Sequence, residues 1–279
     1  MKRQTFHIGC LLLMVTLVSL AASGSAFGLV VGQETAPSGD WDVDWSYVYN
    51  WNSSSAVAVD PYWMLTARHV GGTVGQTITI GSETYTLQEI VYAPIDSGET
   101  YPVDLALLRF DKSLPGYYDL YGGTFPTPPP PTVDKKEVVL VGYGVTGTDY
   151  VTHYTMGSGS GTERWGTNEV DDVVRAIVAT YSSICIQTNY NSADMTYEVG
   201  YGSGDSGGGT FVEDGGTWKL AGINAYAGTD GTAGHYDKSF AVSVPEYRDW
   251  VLETVPEPAT LALVAVGAGV LWMRRRRRA

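Results

Sequence analysis

Short hydrophobic runs alternate with clusters of glycine, aspartate, serine and threonine through most of this chain. No segment before residue 242 keeps a helical period, and the runs are rich in β-branched and aromatic residues. Many short strands at such spacing predict an all-β barrel or sandwich. The clearest runs are 56–59, 77–80, 105–110, 138–141, 173–179 and 219–223.

The segment 244–254 has a different pattern. Pro245 suits the start of a helix, and Tyr247, Trp250 and Val251 follow at spacings that place them on one helical face. We therefore predict a β protein that ends in a short amphipathic helix.

A proline-rich stretch divides the chain near its middle. Five of the seven residues at 126–132 are prolines, which cannot donate the hydrogen bonds of a β-ladder. We interpret 126–132 as an extended connector between two β units, 27–125 and 133–254. A proline-rich ligand for another domain is the alternative.

The first 26 residues have the pattern of a secretory signal peptide. Lys2 and Arg3 precede an apolar run at 8–20, and small residues follow up to Ala26. A buried helix is the alternative, but it does not account for the basic residues before the apolar run or for the small residues after it.

The C-terminal residues 255–279 carry a second targeting pattern. Pro256-Glu257-Pro258 precedes an apolar run at 259–273, and five arginines follow at 274–278. The run has 15 residues, fewer than the ~20 that usually span a bilayer. This order resembles the PEP-CTERM sorting signal. The resemblance implies export from a Gram-negative bacterium, transient anchoring in the inner membrane, and cleavage by an exosortase-type enzyme before surface display or release.

The charge of the body disfavours nucleic-acid binding. Without Lys2, Arg3 and the five terminal arginines 10 basic residues remain, and without Glu257 29 acidic residues remain, so the body carries about −19. Contacts with phosphates need clustered cations. Of the two cysteines, Cys10 leaves with the signal peptide, and Cys185, in a strand-like run, is expected to be buried and unpaired.

Three short motifs carry residues suited to nucleophilic catalysis. Ser206 lies between glycines, which permit a tight turn and close approach of a substrate carbonyl to backbone N–H groups. His69 is one of three histidines in the body, and Asp104 leads directly into an apolar strand. The motifs are Thr66-Ala67-Arg68-His69, Asp104-Leu105-Ala106-Leu107-Leu108 and Gly204-Asp205-Ser206-Gly207-Gly208-Gly209.

In this order the three motifs resemble those of chymotrypsin/trypsin-like serine peptidases, and the resemblance extends over about 30–254. It implies two six-stranded antiparallel β-barrels with a short C-terminal helix and a cleft between the barrels. It also implies that Ser206 is the nucleophile, His69 its general base and Asp104 the residue that orients His69. The N–H groups of Gly204 and Ser206 would then form the oxyanion hole.

Two further positions follow from the same resemblance. Val30 matches the mature N-terminus of the family, whose amine pairs with the acid before the nucleophile, here Asp205. Leu29 precedes Val30 where a basic residue would mark a cleavage site. We expect that a terminus at Val30 is required for activity.

The chain departs from the family pattern at Arg68, Gly209 and Ala225. Ala225 replaces a serine that often supports the catalytic aspartate, so we expect weaker support for Asp104. The substrate pocket, counted from the motifs, consists of Gly200, Ala227 and Ser239. None of these is acidic, which predicts small or medium apolar side chains, although Asp230 or Asp237 could also enter the pocket.

The sequence predicts an exported, monomeric serine endopeptidase that acts on proteins or peptides. No two histidines are close in the sequence and no Cys-x-x-Cys occurs, so we expect neither metal nor cofactor. One alternative is a non-catalytic surface or matrix protein on the same scaffold. Another is a carbohydrate-binding module, based on Trp41, Trp45, Trp51 and Trp63.

Overall fold

The computed structural model describes residues 29–30, 44–125, 135–229 and 231–255. Within these ranges the chain is β-rich and has one short helix at the end, which confirms the predicted all-β class. The predicted signal peptide, the connector 126–132 and the apolar run 259–273 lie outside the described residues. None of the described helices is long and apolar enough to cross a membrane.

The first half of the chain forms an antiparallel sheet of six strands. In chain order they are β1 (Val48–Trp51), β2 (Ser54–Asp60), β3 (Trp63–Thr66), β4 (Thr77–Ile80), β5 (Glu83–Tyr92) and β6 (Ala106–Phe110). Their order in the sheet is β1-β2-β3-β6-β5-β4. The central strand β3 is buried throughout, whereas β4 has no fully buried residue.

The second half forms an antiparallel sheet of seven strands and a separate two-stranded ribbon. The strands are β7 (Glu137–Gly142), β8 (Gly147–Asp149), β9 (Tyr154–Met156), β10 (Arg164–Glu169), β11 (Asp172–Val178), β12 (Tyr181–Asn189), β13 (Gly209–Glu213), β14 (Trp218–Gly228) and β15 (Lys238–Ser243). Their order in the sheet is β10-β7-β13-β14-β15-β12-β11, and β8 pairs with β9. The resemblance implied six strands here. The seventh, β11, is an edge strand that extends the sheet as a hairpin with β12.

The helix α1 (Val244–Thr254) has the predicted bounds and buries Tyr247 and Val251. The Tyr247 hydroxyl donates to Asp96 Oδ2 at 2.9 Å and accepts the Ile184 N–H at 2.9 Å. The helix therefore connects the loop after β5 with strand β12, and thus links the two halves of the chain.

The early tryptophans belong to the protein core. Trp45, Trp51 and Trp63 are all buried, and the Trp51 ring packs edge-on against Phe110 at 5.6 Å. Since these rings are not exposed, they do not form a carbohydrate-binding face. Trp41 lies outside the described residues.

Candidate active site

His69 and Asp104 are brought together by the pairing of two neighbouring strands. His69 follows β3 and Asp104 precedes β6, and these strands pair with Thr66 opposite Ala106. Asp104 is fully buried, whereas the His69 side chain is 26% exposed. Asp104 Oδ2 lies 2.7 Å from His69 Nδ1, and Oδ1 accepts the backbone N–H of His69 at 2.9 Å. The imidazole is thus oriented by a buried carboxylate and still reaches solvent.

Ser183 and Tyr226 contact this pair. Ser183 Oγ accepts the backbone N–H of Asp104 at 2.9 Å, and the Tyr226 ring stacks on His69 at 6.1 Å. The Tyr226 hydroxyl makes no hydrogen bond of normal geometry within the described residues. Burial, and then the charge of Asp104, raise the pKa of this phenol, which therefore stays protonated. Ala225 stands where the family often has a serine that supports the catalytic aspartate. In this chain Ser183 and Tyr226 lie beside Asp104 instead.

Ser206 lies in a turn that two glycines make possible. Gly204 and Gly207 have φ values of +98° and +84°, which other residues rarely adopt. A Cβ on Gly207 would also lie 2.0 Å from the Ser55 carbonyl oxygen. The buried Ser206 hydroxyl donates to the Ala225 carbonyl at 3.5 Å, the upper limit of a hydrogen bond, rather than to His69.

Ser55 connects the turn to the first sheet, and nothing in the sequence pointed to it. Its N–H donates to the Ser206 carbonyl at 2.9 Å, and its hydroxyl donates to the Gly204 carbonyl at 3.0 Å. The same hydroxyl accepts the Tyr143 N–H at 3.2 Å, and the Ser55 carbonyl accepts from Thr66 Oγ1 at 2.7 Å. Since Thr66 lies three residues before His69, these bonds link the serine turn to the histidine.

The N–H groups of Gly204 and Ser206 are available for an oxyanion. Their carbonyl groups accept hydrogen bonds from Ser55, but neither N–H donates a hydrogen bond to another residue in the described ranges. Backbone N–H groups without a partner beside a nucleophile are what an oxyanion hole requires.

A family model of trypsin matches residues 30–251 of the sequence. The chain belongs to the trypsin family. It is therefore a serine-type peptidase, and the resemblance drawn from the three motifs is confirmed. A second model, the PEP-CTERM protein-sorting motif, matches residues 254–278.

Solved structures similar to this trypsin-family chain include two of Rv3671c. One is a mutant from M. tuberculosis in an inactive form, with 16% identity over 72% of this chain and 80% of that chain, and a TM-score of 0.47. The other is the Rv3671c protease in an inactive form, with 16% identity over 70% and 80% of the two chains and a TM-score of 0.44. No curated protein matches the sequence significantly.

In this trypsin-family chain Asp205 is fully buried and only half satisfied. Oδ1 accepts the Gly144 N–H at 3.0 Å, whereas Oδ2 has no hydrogen-bond partner in the part of the chain that the structure describes. Burial raises the pKa of this carboxyl well above its usual range. Val30 is buried in the same half of the molecule, but its N–H donates to the Gly200 carbonyl at 2.7 Å and not to Asp205.

The three predicted pocket residues lie near one another. Ala227 and Ser239 are paired across β14 and β15, and Ser239 Oγ accepts the N–H of Tyr201 at 2.9 Å. Gly200 directly precedes Tyr201. Asp230 lies outside the described residues.

Two histidines that are distant in the sequence, His153 and His235, lie side by side in the structure. The His153 and His235 rings stack at 4.0 Å, because the β8–β9 ribbon packs against the loop before β15, and Tyr150 stacks on the other face of His153 at 5.0 Å. Both histidines are half-buried. Even so, no group of three or more possible metal-ligating His, Cys, Asp or Glu residues occurs in the described ranges.

Proposed function

We propose that this trypsin-family protein is an exported endopeptidase that hydrolyses peptide bonds through Ser206, His69 and Asp104. The observation that carries the proposal is the buried Asp104 carboxylate, which binds His69 at two atoms beside the glycine turn that holds Ser206. A non-catalytic scaffold would have no need for a buried charge directed at an exposed imidazole, because burying a charge is costly.

In the proposed mechanism Asp104 holds the His69 proton on Nδ1, which leaves Nε2 as the base. His69 takes the proton of the Ser206 hydroxyl as the oxygen attacks the substrate carbonyl. The N–H groups of Gly204 and Ser206 stabilise the resulting oxyanion, at about 3–4 kcal/mol for each donor. His69 then protonates the leaving amine, and water hydrolyses the acyl-enzyme by the same steps.

Asp205 is proposed to bind a processed N-terminus at Val30. Its Oδ2 atom has no partner in the described residues, and an α-amine would supply both a hydrogen bond and a compensating charge. Forming this pair would require the Val30 nitrogen to leave or share its bond with Gly200, after cleavage that also removes the buried Leu29.

The route of export is proposed from the two ends of the chain. Residues 1–26 would direct secretion, and 255–279 would hold the protein in the inner membrane of a Gram-negative bacterium until an exosortase-type enzyme cleaves near Pro256. The match to the PEP-CTERM motif supports this route. The mature protein is proposed to act as a monomer on the cell surface or outside the cell.

A fluorophosphonate probe tests the proposed nucleophile. We expect the processed protein to be labelled at Ser206, with hydrolysis of a casein substrate that falls in proportion to labelling. Ser206→Ala should abolish both labelling and casein hydrolysis. The control variant Ser203→Ala, changed three residues away in the same loop, should still be labelled by the probe. A folded wild-type protein that is neither labelled nor active would contradict the proposal.

A further inference from the structure

The phenol ring of Tyr154 fills the space beside Gly200. A Cβ built on Gly200 would lie 2.1 Å from Tyr154 Cε1 and 2.6 Å from the hydroxyl oxygen, so no larger residue fits there while the ring is present. Tyr154 has no exposed surface. The Tyr154 ring therefore occupies the space that a side chain at position 200 would need.

The Tyr154 ring also lies close to Ser239. Its hydroxyl donates to the Tyr201 carbonyl at 2.7 Å, and the N–H of Tyr201 donates to Ser239 Oγ at 2.9 Å. Burial raises the pKa of Tyr154 well above its usual value, so the hydroxyl stays a donor. Two of the three predicted pocket residues, Gly200 and Ser239, thus border the same ring.

Tyr154 is fixed by its backbone and by its neighbours. Its N–H donates to the Tyr236 carbonyl and its carbonyl accepts the Tyr236 N–H, both at 2.9 Å. The ring stacks on Tyr236 at 5.7 Å and meets Tyr190 edge-on at 5.0 Å. Displacing the ring would break a buried hydrogen bond and two aromatic contacts, so it acts as a wall and not as a mobile plug.

We propose that Tyr154 is the residue that determines specificity, by forming the floor of the pocket for the side chain before the scissile bond, the P1 residue. With the ring in place, the pocket accepts glycine, alanine or serine at P1 and excludes leucine, phenylalanine and arginine. This inference rests on the proposed function, because it assigns the substrate class of the same site.

The first test is a series of peptide substrates that differ only at P1, assayed with the processed wild-type protein. We expect kcat/KM to fall by about 10-fold or more from alanine to leucine and again to phenylalanine, since even one extra methylene in a hydrophobic pocket changes kcat/KM by about that factor. Equal or faster cleavage after phenylalanine or arginine overturns the inference.

The second test changes the ring itself. Tyr154→Ala should raise the ratio of kcat/KM for P1 phenylalanine over alanine by about 10-fold or more. Tyr154→Phe keeps the ring and removes only the hydroxyl, so that ratio should stay at the wild-type value. An unchanged ratio in a folded, probe-labelled Tyr154→Ala protein refutes the inference.

The two proposals fail in different ways. If the wild-type protein is not labelled by the fluorophosphonate probe, the proposed peptidase mechanism is wrong. If it is labelled and cleaves but favours large P1 residues, only the assignment of Tyr154 is wrong. Where Tyr154→Ala does not fold, the wild-type substrate series decides.

Discussion

Asp104 binds His69 at two separate atoms, the backbone nitrogen at 2.9 Å and Nδ1 at 2.7 Å. The first bond fixes the position of the residue, and the second fixes the tautomer and the plane of the ring. Because Asp104 is fully buried, solvent does not compete for either bond. The pair is therefore oriented before substrate arrives, as the proposed general-base role of His69 requires.

Replacing Asp104 by asparagine tests this relationship. The amide keeps the shape of the carboxylate but stabilises the wrong tautomer and no imidazolium, so we expect kcat to fall by about 10⁴-fold. Steady-state kinetics with a P1 alanine peptide would measure the loss. Asp119→Asn, at an exposed position, should keep wild-type kcat. A loss below about 10-fold would show that Asp104 is not the orienting acid.

Ser55 should matter for both stability and activity. Ser55→Ala leaves the Gly204 carbonyl and the Tyr143 N–H without their partner, which we expect to cost about 1–3 kcal/mol of unfolding free energy. Because the Gly204 peptide also carries a proposed oxyanion donor, kcat should fall while KM changes little. Urea unfolding and steady-state kinetics measure the two effects.

The neighbouring serine provides the control for that substitution. Ser54 is also buried on β2, but its hydroxyl does not bond the serine turn. Ser54→Ala should therefore leave kcat near the wild-type value. A similar fall in kcat for both variants would indicate general damage to β2 instead of a specific role for Ser55.

Local features of the chain were predictable from its sequence, and contacts between distant residues were not. The bounds of β4 and α1 follow from hydrophobic spacing and from Pro245, which act within a few residues. His69, Asp104 and Ser206 could be proposed as catalytic because each lies in a distinctive short motif. Ser55 contacts Gly204 across 149 residues and lies in a run of ordinary serines, so no local signal marks it.

Tyr154 shows the same limit at the predicted pocket. Counting from the motifs pointed to Gly200, in the loop between β12 and β13, and to Ser239 on β15. The ring that fills the space comes from the β8–β9 ribbon, whose position depends on packing against Tyr236 and not on its own sequence. The expectation of a small apolar pocket therefore rested on the absence of an acid, whereas the role proposed for Tyr154 would add a steric reason.

Cys185 should be chemically inert in the folded protein. Burial, and then the charge of Asp104, raise the pKa of the thiol, and the side chain has no exposed surface. We expect iodoacetamide to modify Cys185 only in urea, and Cys185→Ala to keep peptidase activity. Modification of the native protein together with loss of activity would instead favour a cysteine nucleophile.

The identity of the N-terminus should control activity through Asp205. Under the proposal, the amine of a chain that begins at Val30 pairs with Oδ2 of Asp205, whereas the amine of a chain that begins at Phe27 does not. A pair worth about 1.4 kcal/mol or more corresponds to at least a 10-fold difference in the active fraction. Titration of active sites with a fluorophosphonate would measure that fraction for both forms. Equal titres would show that Asp205 needs no new terminus.

Glu198 should make folding stability depend on pH. Burial is the main cause that raises its pKa to about 7, and its Oε2 atom has no partner within the described ranges. The unfolded chain loses this proton near pH 4.5, but the folded protein retains it up to about 7. Below pH 4.5 Glu198 costs the folded protein no stability. As the pH rises from 4.5 to 7 the free energy of unfolding falls by about 3 kcal/mol, and above pH 7 this loss stays constant.

Glu198→Gln removes this titration and keeps an oxygen for the Asn191 N–H, which Glu198 Oε1 accepts. We expect the variant to lose less stability than the wild type between pH 5 and pH 8, and to be the more stable of the two by about 1–3 kcal/mol at pH 8. Urea unfolding at four pH values measures both curves. Glu89→Gln, at an exposed position, should follow the wild-type curve. Parallel curves for Glu198→Gln and the wild type would mean that Glu198 is already ionised at pH 5 in the folded protein.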